Sequence, residues 1–263
     1  MKKCILSIVV LLVCMQLGVQ AQDTIRIMTF NIDQGSDTTL QAIGEVIRSY
    51  NPDFVALQEV DICPKRNYVP HQRGKNFITE LGYYTNMQGI FGKAMDHPGG
   101  WEYGDAILSK HSFTQSCTYS LPSSDGIEPR QIILIHTSVH GTPICFACTH
   151  LSYENMPMRA AQLRKIKQIL SKQKEKIQFI CGDFNSDPSE NLIPSILKQW
   201  TDVLPEGKGT FTSMPHNALQ AYKYDYILYN SRRTNNIEIF HSSIHCDEHL
   251  ADHCIGIAEI IIH

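Results

Sequence analysis

The chain has 263 residues, of which 43% are hydrophobic and 19% charged. That is enough length and apolar material for one sizeable core, and it excludes disorder, collagen-like repeats and a disulfide-held mini-scaffold. With 23 Lys+Arg against 26 Asp+Glu the formal net charge is −3, which excludes a nucleic-acid binder held by bulk positive charge.

Residues 1–21 carry the pattern of a secretory signal peptide. Lys2 and Lys3 precede an apolar run from Ile5 to about Leu17, and Val19-Gln20-Ala21 places suitable residues before a cut after Ala21. The run is short for a bilayer span, and Gln16 and Gln20 interrupt its end. A lipoprotein leader would acylate Cys14, but Val13 is too bulky for the position before such a cysteine. No later segment would cross a membrane. The expectation is an exported chain, periplasmic or secreted, with no integral membrane segment after cleavage and one domain over residues 22–263. Cleavage removes two lysines and no acids, so the charge becomes −5, and it leaves seven of the nine cysteines. Export permits disulfides. Cys145, Cys148 and Cys181 nevertheless sit in apolar runs and read as core thiols. The odd separation of Cys145 and Cys148 points them to opposite faces of a strand. No His/Cys cluster has zinc spacing along the chain.

In chain order, Ile25–Ile32 reads as a strand. Leu40, Ile43, Val46, Ile47 and Tyr50 share one helical face, and Pro52 marks that helix's end. Phe54–Leu57 is a short buried strand, and a second helix is expected over about Gly74–Leu81. Residues 92–104, with several glycines, Trp101 and Tyr103, read as a surface loop. Strands are expected at Ala106–Ser109, Phe113–Tyr119, Ile132–Val139 and Ile144–Thr149, with turns at 123–126 and at Gly141. A long helix starts at about Met158, with Leu163, Ile166, Ile169 and Leu170 on its apolar face. Ile177–Cys181, Tyr226–Tyr229, Ile237–Ile244 and Cys254–Ile261 complete the strands. Many strands with intervening helices point to two sheets packed face to face with helices outside.

Polar residues with chemical use stand where these strands stop or start. Asn31, Glu59, His150, and Asp183 with Asn185 follow four strands, and Asp225 and Asp252-His253 precede two more. A single carboxylate after a strand is usually a turn or cap residue. Six such sites at six strand ends suit convergence on one cleft better. Carboxylates and an amide are hard oxygen ligands suited to Mg²⁺ or Mn²⁺, and the set is poor in the His and Cys that zinc prefers. A divalent ion beside acids and imidazoles fits phosphoester hydrolysis. No Gly-x-Ser-x-Gly elbow or P-loop is present.

These segments also form an ordered set. Met28-Thr29-Phe30-Asn31, Leu57-Gln58-Glu59-Val60, Tyr103-Gly104-Asp105-Ala106-Ile107-Leu108-Ser109, Glu128-Pro129-Arg130, Thr149-His150-Leu151, Gly182-Asp183-Phe184-Asn185, Tyr224-Asp225-Tyr226-Ile227 and Asp252-His253 together resemble the endonuclease/exonuclease/phosphatase superfamily over residues 25–262. The likeness is greatest to its small exported bacterial metal-dependent hydrolases. The resemblance implies a four-layer α/β/β/α sandwich of two mixed sheets flanked by helices, and Mg²⁺- or Mn²⁺-dependent cleavage of a phosphoester. It implies Glu59 as main metal ligand with Asn31 and Asp252 nearby, and His253 paired with Asp225. It further implies Asp183 acting on the attacking water, with Asn185 and His150 donating to phosphate oxygens. The general base is Asp183 or His253.

Asp105, a candidate substrate contact that would have to meet metal or a cationic group, stands where relatives often carry Asn, Ala251 where Ser is common, and Asp33-Gln34 where close relatives often carry histidines. Arg130 would reach a phosphate or pair with Glu128, and Arg159 would tie its helix to the loop after His150. The substrate would be a nucleic acid, a phospholipid or a small phosphoester, acted on by a monomer. A nuclease and a sphingomyelinase-like phosphodiesterase are alternatives within the family. A binding module that kept the fold and lost the chemistry is the alternative outside it, although Glu59, Asp183 and His253 are all present.

Overall fold

A computed structural model describes residues 23–212 and 222–263; the expected signal peptide lies outside the described residues. Twelve strands form two six-stranded sheets among the described residues. In the first, the order is β11(Ile237–His245), β12(Ile255–Ile262), β1(Asp23–Asn31), β2(Phe54–Ile62), β4(Trp101–Ser109), β3(Gln88–His97). In the second it is β5(Phe113–Ser120), β6(Gln131–Val139), β7(Thr142–His150), β8(Ile177–Asp183), β10(Asp225–Tyr229), β9(Thr201–Asp202). Each sheet is mixed: β1–β2 and β7–β8 are parallel and the other pairs antiparallel.

The central strands are apolar on both faces, as strands covered twice must be. Ile27, Phe54 and Ile107 from the first sheet meet Phe146, Phe179 and Ile227 from the second. The rings of Phe54 and Phe146 stack at 5.1 Å between these layers. Each fully buried phenylalanine contributes about 1.5–3 kcal/mol by leaving water. On the other face of the first sheet, Met28, Val55 and Leu57 pack beneath α1(Leu40–Tyr50) and α2(Phe77–Thr85). On the outer face of the second, Leu134 and Ala147 pack beneath α3(Met156–Ser171) and α4(Leu192–Leu197). The result is the expected four-layer sandwich. Each long helix has a side-chain N-cap: Thr39 accepts from Ala42 N, Asn76 from Thr79 N and Asn155 from Met158 N.

Three sequence readings need correction. Residues 92–104 are not a surface loop but most of the β3–β4 hairpin, and Trp101 and Tyr103 are buried. The glycines there serve close packing: a Cβ on Gly104 would lie 2.1 Å from the carbonyl oxygen of Gly92. The second helix is displaced toward the C-terminus, starting after the Asn76 cap rather than at Gly74, whose φ is +73°. Glu59 does not close its strand, because β2 continues to Ile62. The helix α4 and the short β9 had no clear periodic signal. Cys145 lies in the outer layer and Cys148 between the sheets, on opposite faces as their spacing requires.

Candidate active site

In the second sheet, His150 ends β7, Asp183 ends β8 and Asp225 begins β10, and all three are register neighbours at one sheet edge. In the first sheet Asn31 ends β1 and pairs with Gln58. Gln58 and Glu59 together oppose the single residue Asp105, because the register shifts between Leu57–Ala106 and Val60–Gly104. This is a β-bulge, and Glu59 adopts φ +60° within it. The extra residue turns the Glu59 carboxylate out of both apolar layers toward the cleft.

Asn31 connects the two sheets. Its Nδ2 donates to Glu59 Oε1 at 3.1 Å and to Asp183 Oδ2 at 3.2 Å. Asp183 Oδ1 accepts from Asn185 N at 2.8 Å. His253 lies between two carboxylates, with Nδ1 2.9 Å from Asp225 Oδ2 and Nε2 3.5 Å from Asp183 Oδ2. Burial opposes a charge on His253, but Asp225 and then Asp183 outweigh it and raise its pKa to about 10. Burial raises Asp183, with Asp225 adding to the rise.

His150 is the opposite case. Burial, then Arg130 and His253, hold it well below the usual histidine range, so it is neutral. Arg130 Nη1 donates to its Nδ1 at 3.1 Å. Its Nε2 lies 2.9 Å from Asn185 Nδ2 and 3.4 Å from Asp183 Oδ2. Arg130 also pairs with Glu128 at 2.9 Å, so the structure gives it the ion-pair partner while leaving it on the cleft wall. Arg159 ties α3 to the loop after His150, donating to the carbonyls of Ser152 and Tyr153 and pairing with Glu190 at 2.8 Å. Asp105 is buried and accepts from Gln131 Nε2 at 2.9 Å; burial, then Glu59 and Asp183, raise it well above the carboxylate range.

Glu59, His150, Asp183, Asn185, Asp252 and His253 line one cleft of about 340 Å³. Residues without a sequence signal share its wall: Arg66, Tyr68, His97, Tyr153 and Phe211. Arg66 pairs with buried Asp61 at 2.6 Å and lies 5.2 Å from the Trp101 ring, on which His97 stacks. Arg66 Nη1 donates to Tyr68 OH, Tyr68 OH to Gln34 Oε1, and Gln34 Nε2 to Glu59 Oε2. The loop carrying Arg66 and Tyr68 follows the Glu59 strand, which is the one hint the sequence offered.

The site suits a hard divalent cation. Burial, reinforced by Glu59, Asp252 and Asp37, pushes Asp33 up to about 7, and Asp252 is raised by burial and by Glu59 and Asp37. Carboxylates that repel one another in this way are relieved by a cation. Potential ligand atoms of Asp183, Asp225 and His253 also lie within 4.8 Å of one another.

Asp252 and His253 sit on a loop closed by the Cys246–Cys254 disulfide. Cys63, Cys117, Cys145, Cys148 and Cys181 are free thiols. Thr212 N and Oγ1 also hold the Asp252 carbonyl, at 2.8 and 2.9 Å, and the Phe211 ring lies 4.7 Å from that of His253. Breaking the bridge with Cys246→Ser is expected to lower stability by about 2–3 kcal/mol, from loop-closure entropy. Catalytic efficiency should fall at least about tenfold through displacement of His253. Thermal unfolding and hydrolysis assays check both, and unchanged activity would show that the Thr212 and Phe211 contacts suffice.

A family model described as the Endonuclease/Exonuclease/phosphatase family matches residues 28–239. The 5′-tyrosyl-DNA phosphodiesterase of Caenorhabditis elegans is 25% identical over 201 residues, which is 72% of this chain and 51% of that protein. The chain thus spans about half the length of that curated relative. An endonuclease/exonuclease/phosphatase from Beutenbergia cavernae superposes with a TM-score of 0.73 at 20% identity, covering 92% of this chain and 72% of that one. A mannosyl-6-phosphatase from Bacteroides thetaiotaomicron superposes with a TM-score of 0.68 at 13% identity, covering 90% and 100%. With the motifs in order, the two sheets in place and the family model spanning most of the sequence, the chain belongs to the endonuclease/exonuclease/phosphatase family, whose members are hydrolases acting on phosphoesters.

Proposed function

We propose that this chain is an exported hydrolase that cleaves a phosphoester with the help of a divalent ion, Mg²⁺ or Mn²⁺, by attack of an activated water. The supporting observation is the arrangement of Asp183, His253 and Asp225 beside the Asn31–Glu59 pair at one end of the cleft. Glu59, Asn31 and Asp252 would hold the ion, which when bound neutralises charge on a phosphate oxygen. Export rests on the signal-peptide pattern of residues 1–21.

Within this reading Asp183 takes a proton from water. Its raised pKa suits a base working near neutrality. His253, kept cationic by Asp225 and Asp183, is a donor to phosphate rather than the base. Asn185, neutral His150 and Arg130 line the same cleft and would supply further donors to phosphate oxygens. The exposed rings of Tyr68 and Tyr153 on the rim offer stacking surface to the organic part of a substrate.

The test is a panel of plasmid DNA, RNA, bis-p-nitrophenyl phosphate, sphingomyelin, sugar and inositol phosphates and nucleotides, with Mg²⁺, Mn²⁺ or EDTA. Turnover that needs the ion is expected on at least one member. In Glu59→Gln both turnover and the ion's effect on Tm should disappear while the fold remains. Full activity in EDTA, or in Glu59→Gln, would defeat the assignment. A folded, ion-binding protein silent on every substrate would favour the binding-module alternative.

A further inference from the structure

Away from the cleft, β6, β7 and the segment before β8 bring His136, Cys145 and Glu175 together. Each offers one ligand atom, and these atoms lie within 4.8 Å of one another. His136 and Cys145 are register partners across the β6–β7 hairpin, so their side chains rise from the same face. Glu175 Oε1 lies 2.8 Å from His136 Nδ1. Its other oxygen, Oε2, is buried and has no hydrogen-bond partner. Cys145 is fully buried, while the side chains of His136 and Glu175 remain 14% and 15% exposed and leave an entry from solvent.

The donor set is thiol, imidazole and carboxylate. Zn²⁺ takes all three, whereas Mg²⁺ and the other hard cations suited to the cleft avoid thiolate. Metal–ligand bonds of about 2.0–2.3 Å place neighbouring ligand atoms about 3–4 Å apart, so this group needs only small side-chain adjustments. Burial and then the Glu175 carboxylate push the Cys145 thiol up to about 12, with the nearby Arg233 guanidinium acting in the opposite sense, so thiolate ligation requires the ion to displace the proton. Arg233 also donates to the carbonyls of Ser171, Gln173 and Glu175, which fixes the segment that carries the carboxylate. Cys145 precedes His150 by five residues on β7, about 17 Å along the strand, so the cluster and the cleft occupy different ends of the sheet.

We propose that His136, Cys145 and Glu175 bind a zinc-class ion at a site separate from the cleft, with water as fourth ligand. The ion would fasten the segment between α3 and β8 to the β6–β7 hairpin and satisfy the orphaned Glu175 oxygen.

Co²⁺ is the probe, because a thiolate-to-cobalt charge-transfer band reports cysteine ligation directly. The band is expected in the wild-type chain and in Glu59→Gln, and is expected to vanish in Cys145→Ser. Zn²⁺ affinity, measured by displacement of Co²⁺, should fall at least about tenfold in His136→Ala and in Glu175→Gln. Zn²⁺ should also raise the Tm of the wild type and of Glu59→Gln, but not of folded Cys145→Ser. A folded wild type without the band at saturating Co²⁺, or a band that persists in Cys145→Ser, would overturn the site. Should Cys145→Ser not fold, undiminished Co²⁺ affinity in both His136→Ala and Glu175→Gln would overturn it equally.

Discussion

Replacing Asp183 with asparagine is expected to lower kcat by about three orders of magnitude and to change KM little. Removing a general base typically costs about 10²–10⁴-fold, and Asp183 also faces His253 and His150, two imidazoles of the cleft. Stability should not fall with activity. The folded-state pKa of Asp183 is raised from 3.8 to about 7, mainly by burial. A raised acid contributes stability only while it is protonated, and that contribution is lost as pH rises from about 4 through about 7. At pH 8 the ionised carboxylate is therefore a cost in the ion-free protein, and asparagine removes it while retaining an oxygen to accept from Asn185 N. Without added metal, the Tm of Asp183→Asn at pH 8 should match or exceed that of the wild type. Steady-state kinetics and calorimetry on the same preparation check both halves, and kcat within tenfold of wild type would remove Asp183 from the role of base.

Gly182→Ala is expected to be the most damaging single methyl addition in the second sheet. Gly182 has φ +142°, and a Cβ there would lie 1.9 Å from the carbonyl oxygen of Thr149. Both objections are to backbone, so no side-chain rotation relieves them. The position pairs with Thr149 on β7 and Tyr226 on β10, strands that cannot separate without opening the sheet. Strain and overpacking of this kind cost more than about 3 kcal/mol. For a chain of this size that lowers Tm by about 6–12 °C. Because Asp183 is the next residue, turnover should fall as well, even below the unfolding transition. A Tm within about 3 °C of wild type would mean that the β7–β8 pairing relaxes more readily than its geometry suggests.

Much of the cleft was legible because its residues stand at strand boundaries, where apolar runs give way to polar residues. Asn31, His150, Asp183 and Asp225 were located this way, and the sheets bring them together. The position of Glu59 within its strand was not, since a bulge has no periodic signature and is defined by the partner strand. Glycines misled the reading of residues 92–104, because glycine serves close packing as well as turns. The cluster of His136, Cys145 and Glu175 escaped a search for zinc spacing for a related reason. Its three members come from two strands and a connecting segment, and only the fold makes them neighbours. Arg66 and Tyr68 were missed because a loop residue reveals its direction only when the loop is built.

The bulge at Gln58 and Glu59 also sets sheet regularity against the placing of a carboxylate in the cleft. Upstream of it, Phe54 and Ala56 face the other sheet while Val55 and Leu57 face the helices; beyond it Val60 faces the helices too, one step out of phase. Removing one of the two residues would restore unbroken pairing with β4 and keep every apolar side chain on its present side. The acid proposed to hold the ion would then be gone or turned from the cleft. A more regular sandwich is thus a single deletion away. On the proposed function, the irregularity in the strand is what brings the Glu59 carboxylate to the cleft.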